Sequence, residues 1–167
     1  MILSFVLLGM TVGLRTMTAM AVLCWFAWMQ LLPQHGWAFW VGSLVSVIVF
    51  SVCAVGEYVV DTLPSTPSRT APVGLTARLV FGALVGGLAA HAIIEPVAGG
   101  VIFGLVGTLI GAFGGVRVRR YWAKALGRDL PVALLESAIA LGLAVATCWQ
   151  LHVLLVSIIQ VLPRAAQ

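Results

Sequence analysis

Glu57 and Asp61 stand four residues apart at the end of an apolar run, so a helix carried through them sets both carboxylates on one face, one turn apart. Two such carboxylates repel unless cations lie nearby or one of them holds a proton. The chain supplies both signs elsewhere: Arg15, Arg69, Arg78 and Arg117, and a further carboxylate at Glu136, most of them within or beside apolar runs. An ionised group in hydrocarbon is costly unless it is paired or hydrated. These residues are therefore expected to converge on one ionic site. The site has two readings: ion pairs that pin helix ends and do nothing else, or a vestibule for an ion or anionic head group built around a Pro-rich segment.

Arg15 sets the hardest condition. About twelve residues at ~1.5 Å each place it well inside a bilayer if a first helix starts at the cytoplasmic edge, too deep for easy snorkelling. It is then expected to face the bundle interior and pair with Glu57, Asp61 or Glu136. The alternative is a short re-entrant N-terminus that returns Arg15 to the inner face.

Other chemistry is poorly represented. His35, His91 and His152 are scattered, with no His or Glu at metal-ligand spacing, so structural or surface roles are expected and no metal or cofactor is implied. Cys24, Cys53 and Cys148 lie in apolar runs without a CxxC pair and read as small buried hydrophobes. No Ser-His-Asp order, HExxH, GxSxG or phosphate-binding loop occurs.

Composition sets the solvent. Of 167 residues 62% are hydrophobic and 8% charged, and the mean hydropathy is +1.13. That is too few ionic groups to clothe a water-soluble globule. An all-α, polytopic membrane helix bundle is expected, a single integral membrane domain over residues 1–167, with crossings over 1–32, 38–56, 75–94, 98–116 and 131–162. Ala19-Met20-Ala21 imitates a signal-peptidase site. However, no Lys or Arg precedes the apolar stretch and hydrophobicity continues past it, so one long helix bent near Gly13 is expected there.

The formal charge of +4 does not point to nucleic acid, because the basic residues sit between apolar runs. They read as topology signals. Placing Arg117, Arg119, Arg120, Lys124 and Arg128 on the cytoplasmic side of a bacterial inner membrane also puts Arg69, with Arg78 just beyond it, on that side. The Trp-flanked first loop and Glu95 then fall outside, with the N-terminus cytoplasmic and the C-terminus outside.

Gly82 and Gly86, with Gly100, Gly104, Gly107, Gly111 and Gly115, give flat helix faces where another backbone can approach, so they are expected to form packing seams within the bundle or at a homo-oligomer interface. Residues 7–15 match 109–117 at a Leu, two Gly and the Arg, and in five crossings these stretches run in opposite directions, as in an inverted repeat.

The stretch from Gly56 through Glu57, Asp61, Pro64, Pro67, Arg69 and Pro72 to Arg78 and Gly82 resembles an uncharacterised bacterial membrane family, domain of unknown function 4126. Gly13-Leu14-Arg15 and the glycine-rich segment ending in Arg117 also resemble it. The resemblance implies membrane location and a signature of Glu57, Asp61, Pro64, Pro67 and Arg69, and implies no activity. Thr62 stands where the family often has Lys.

Three functions are weighed: a homo-oligomeric carrier or channel for an ion or small polar or anionic solute; a non-catalytic assembly protein binding membrane lipids or partner helices; and an enzyme acting on a lipid head group with Glu57 or Asp61 as base.

Overall fold

The apolar stretch of residues 1–32 does not form one helix. A computed structural model, which describes residues 1–61, 71–126 and 129–161, splits it at Arg15 into α1 (Ile2–Leu14) and α2 (Thr16–Trp28). Arg15 is extended, with φ −142° and ψ 104°, so the helical hydrogen-bond ladder stops there.

The rest of the chain is helical among the described residues. A 3-10 turn, Gly36–Gly42, leads into α3 (Leu44–Val60), followed by α4 (Pro72–Ala92), α5 (Val97–Leu126) and α6 (Asp129–Val161). Ser43 caps α3 by accepting from the Ser46 amide at 3.1 Å. Pro72 opens α4, where a missing N–H goes unnoticed. Instead of ending at Val116, α5 continues as helix through the basic residues to Leu126.

The chain reverses at Arg15. Gly9 lies against Gly104, and Gly13 against Thr108 and Ala112, so α1 runs in the same direction as α5. By contrast α2 runs against α3: Thr18 Oγ1 meets Tyr58 Oη at 2.8 Å, and Trp25 Nε1 donates to Ser51 Oγ at 3.1 Å. Because α3 and α5 carry Asp61 and Arg119 to the same end of the bundle, α1 approaches that end and α2 leaves it. The single bent crossing expected for residues 1–32 is thus replaced by two antiparallel helices of 13 residues each. At ~1.5 Å per residue each is about 20 Å long, short of the ~30 Å of bilayer hydrocarbon. Ile2 and Val161 consequently lie towards the same end, not opposite ends. The stretches 7–15 and 109–117 run side by side in one direction, which removes the inverted repeat.

Among the described residues three helices are long and apolar enough to cross a membrane: Pro72–Ala92, Val97–Trp122 and Leu130–Gln160. The 3-10 turn and α3, bent by 61° at their junction, bring the number to four if taken as one span.

Glycine sets the spacing of α1, α4 and α5. A methyl group built on Gly86 would overlap the carbonyl oxygen of Gly100, one on Gly104 that of Gly82, one on Gly107 that of Val6, and one on Gly111 that of Met10. A methyl on Gly82 would strike the Thr108 hydroxyl, and Gly115 is buried. These backbones touch, which multiplies the dispersion contacts between the three helices. Around them Leu8, Val12, Met20, Leu23, Val85, Leu88 and Leu151 form a sealed core, while Val45, Val52, Val80 and Leu135 remain exposed on the outside.

At the end remote from Arg15, α2 and α4 stop in the same way. The amides of Leu31 and Glu95 reach back to the carbonyls of Phe26 and Ala90, both at 2.9 Å. This closure forces a left-handed residue, Gln30 at φ 60° and Ile94 at φ 62°, where glycine is the usual choice. His91 Nε2 lies 3.0 Å from the His35 carbonyl and His152 Nδ1 lies 2.7 Å from that of Leu31, so these imidazoles tie the turns to the helices. Cys24 and Cys148 are buried as expected; Cys53 is exposed on α3, which corrects its reading as a buried hydrophobe.

Candidate functional site

Breaking a helix exposes amides at one end and carbonyls at the other, with partial charges of opposite sign. Here both ends are closed by charged side chains from other helices. Glu57, on α3, accepts from the first amides of α2: Thr16 N to Oε1 at 2.8 Å and Met17 N to Oε2 at 2.9 Å. Arg78, on α4, donates through Nη1 to the Val12 and Gly13 carbonyls in the last turn of α1, at 3.3 and 3.1 Å. An anion therefore sits at the positive helix end and a cation at the negative one.

Arg15 is 1% exposed. Its Nη1 is ion-paired with Asp61 Oδ2 and its Nη2 donates to the Ala133 carbonyl at 3.1 Å. The guanidinium carbon stands 5.4 Å from the centre of the Tyr58 ring, within cation–π range. Asp61 is shared. Arg119 Nη1 lies 3.9 Å from its Oδ2 and 4.0 Å from Glu136 Oε2, while Arg119 Nη2 donates to the Asp61 carbonyl at 3.2 Å. Arg15, Asp61, Arg119 and Glu136 thus alternate in sign. Burial makes this alternation necessary, because a lone charge there is far costlier than a pair.

Of the residues singled out in the sequence, Arg15, Glu57, Asp61, Arg78 and Glu136 meet at this end of the bundle. Arg117 does not: it is exposed, and Arg119 takes the inward place. A signal for Arg119 exists in the sequence, since the face marked by Gly107, Gly111 and Gly115 continues four residues on to position 119 and not to 117. Tyr58 and Thr18, by contrast, carry no such signal, because nothing about an aromatic or a threonine in an apolar helix marks it as polar lining. Arg69, Pro64, Pro67 and Thr62 lie outside the described residues.

The arrangement offers fixed charges and two helix ends of opposite polarity that adjoin at a break. Among the described residues no three His, Cys, Asp or Glu side chains form a group able to hold a metal ion. A cleft of about 390 Å³ opens at the opposite end of the bundle, lined by His35, His91 and Glu95 with apolar Ile94, Leu155 and Ile159, and shares no residue with the ionic cluster. Compared with known proteins, the chain matches no family model, no curated protein and no solved structure.

Proposed function

We propose that this is an integral protein of the bacterial inner membrane in which the α1–α2 break is the solute-handling site of a small carrier or channel for an ion or a small polar or anionic solute. One observation carries the reading: two half-length antiparallel helices join at a buried break where the C-terminus of α1 and the N-terminus of α2 are held by charges from α4 and α3. Irregular backbone at membrane depth is tolerated where it is buried in protein or lines a cavity, and discontinuous helices place their ends against solutes. In this proposal α3 with its lead-in, α4, α5 and α6 cross, α1 and α2 enter and leave, and the ionic cluster faces the cytoplasm by the positive-inside rule. The close glycine contacts are the packing seams, and the open faces of α3 and α6 serve homo-oligomerisation. Kinship with the domain of unknown function 4126 is part of the same proposal.

The test is reconstitution of the full chain in liposomes holding pH- and chloride-sensitive dyes, with proton, chloride and potassium gradients. The wild type should pass one of them, and Glu57→Gln and Arg15→Lys, if they elute as the wild type does, should pass it more slowly. Equal flux through variants and wild type, or none through the wild type, rejects the carrier reading.

A second reading, a non-catalytic assembly protein, is supported by the balance of the cluster itself. Its charges satisfy one another and the helix ends, as a structural pin would. A wild type that passes no ion while the same variants lose thermal stability would establish it.

A further inference from the structure

The basic end of α5 divides by helical phase. At about 100° per residue, Arg117, Arg120 and Lys124 fall on one face with Tyr121, and Arg119 falls on the opposite side. The structure bears the same division: Arg119 turns into the ionic cluster, whereas Arg117, Arg120, Tyr121 and Lys124 are exposed. Among the described residues no carboxylate pairs with Arg117, Arg120 or Lys124. Tyr121 is 71% exposed and packs edge-on against Trp122, itself 50% exposed, with ring centroids 6.1 Å apart. Trp122 ends the stretch of α5 long and apolar enough to cross a membrane.

We infer that this stripe is a binding site for the phosphate of an anionic phospholipid head group. A topology signal needs only positive charge near the membrane edge, and scattered cations would serve as well. Here three cations share one face over eight residues, about 10 Å along the axis, beside two aromatic rings of the kind that settle at the head-group level. Arginine offers a planar fork that matches phosphate oxygens, and lysine adds a point charge. The chemistry selects an anion, and its place at the end of a membrane-length helix selects a lipid over a soluble polyanion. The inference rests on the membrane reading of the preceding subsection and is independent of the carrier reading.

The experiment uses the full chain in a mild detergent, titrated with phosphatidylglycerol or with phosphatidylcholine and read by native mass spectrometry. The wild type should retain phosphatidylglycerol in preference to phosphatidylcholine. Each single variant, Arg117→Gln, Arg120→Gln or Lys124→Gln, should bind it about fivefold more weakly and the triple variant about a hundredfold more weakly. Arg117→Lys should keep most of the binding, which separates charge from fold. Equal retention by the triple variant and the wild type, or tighter binding of a short oligo-uridylate than of the lipid, overturns the inference. Resistance of both proteins to alkaline carbonate extraction from membranes reports the membrane reading separately: a lipid-binding failure with extraction resistance intact rejects the head-group site alone.

Discussion

Arg78 Nη2 lies 3.9 Å from Glu57 Oε1, so the two side chains that close the opposite ends of the α1–α2 break also face each other. The pair is 9% and 13% exposed, and each member answers to a helix end as well as to its partner. Removing either charge therefore takes a partner from two groups at once, a side chain and a helix terminus.

Glu57→Gln should lower stability by about 3–5 kcal/mol, the range for breaking a buried pair, read as a fall in the thermal unfolding midpoint in detergent. Combining it with Arg78→Met should cost less than the sum of the two single changes, because the residues share one interaction. Strict additivity would show that they act independently.

Arg15→Met should destabilise to a similar extent, since Asp61 loses its closest partner and the Ala133 carbonyl its donor. Arg119 still stands near Asp61, so Asp61→Asn in the same chain should restore part of the loss. A double variant less stable than Arg15→Met alone would contradict the pairing.

Glycines that look alike in the sequence should behave oppositely. Gly86→Ala forces a methyl into the Gly100 carbonyl and should destabilise by about 1–3 kcal/mol. Gly142 has open space around its added methyl, and Gly142→Ala should stabilise its helix by up to about 1 kcal/mol. The same unfolding measurement reads both.

Ile94→Gly should stabilise by about 1 kcal/mol, because it relieves a β-branched residue held in left-handed backbone and, with that side chain 73% exposed, removes little packing. An unchanged or lowered midpoint would show that the side chain contributes more than its strain.

The reversal at Arg15 can be tested directly. Ser4 Oγ lies 3.4 Å from Gln150 Oε1. In a chain with its three cysteines replaced, Cys introduced at both positions should be joined by a short bismaleimide. A single crossing from residue 1 to residue 32 would keep them at opposite ends, and no cross-link would form.

Much of the ionic site is legible in the sequence for a simple reason: Arg15, Glu57, Asp61, Arg78 and Glu136 are conspicuous wherever apolar residues surround them, whatever the fold. What is hidden is rotation and direction. Choosing Arg119 over Arg117 requires the phase of α5, which the apolar pattern does not give because that helix is apolar nearly all round; only the spacing of Gly107, Gly111 and Gly115 carries it. Direction is hidden at Arg15 because two short helices and one long one share the same composition. Only the partner of Thr16 and Met17, Glu57 on α3, 41 and 40 positions away, distinguishes them.

The short first helix has a consequence for how the chain is made. Ile2–Leu14 is too brief to hold a bilayer position by itself, and it ends at a guanidinium whose partners, Asp61 and Ala133, are 46 and 118 positions downstream. Synthesis therefore delivers this residue before either counterpart. Until α5 arrives to receive Gly9 and Gly13, the N-terminal hairpin lacks the backbones it packs against, so its docking is a late, collective step of folding.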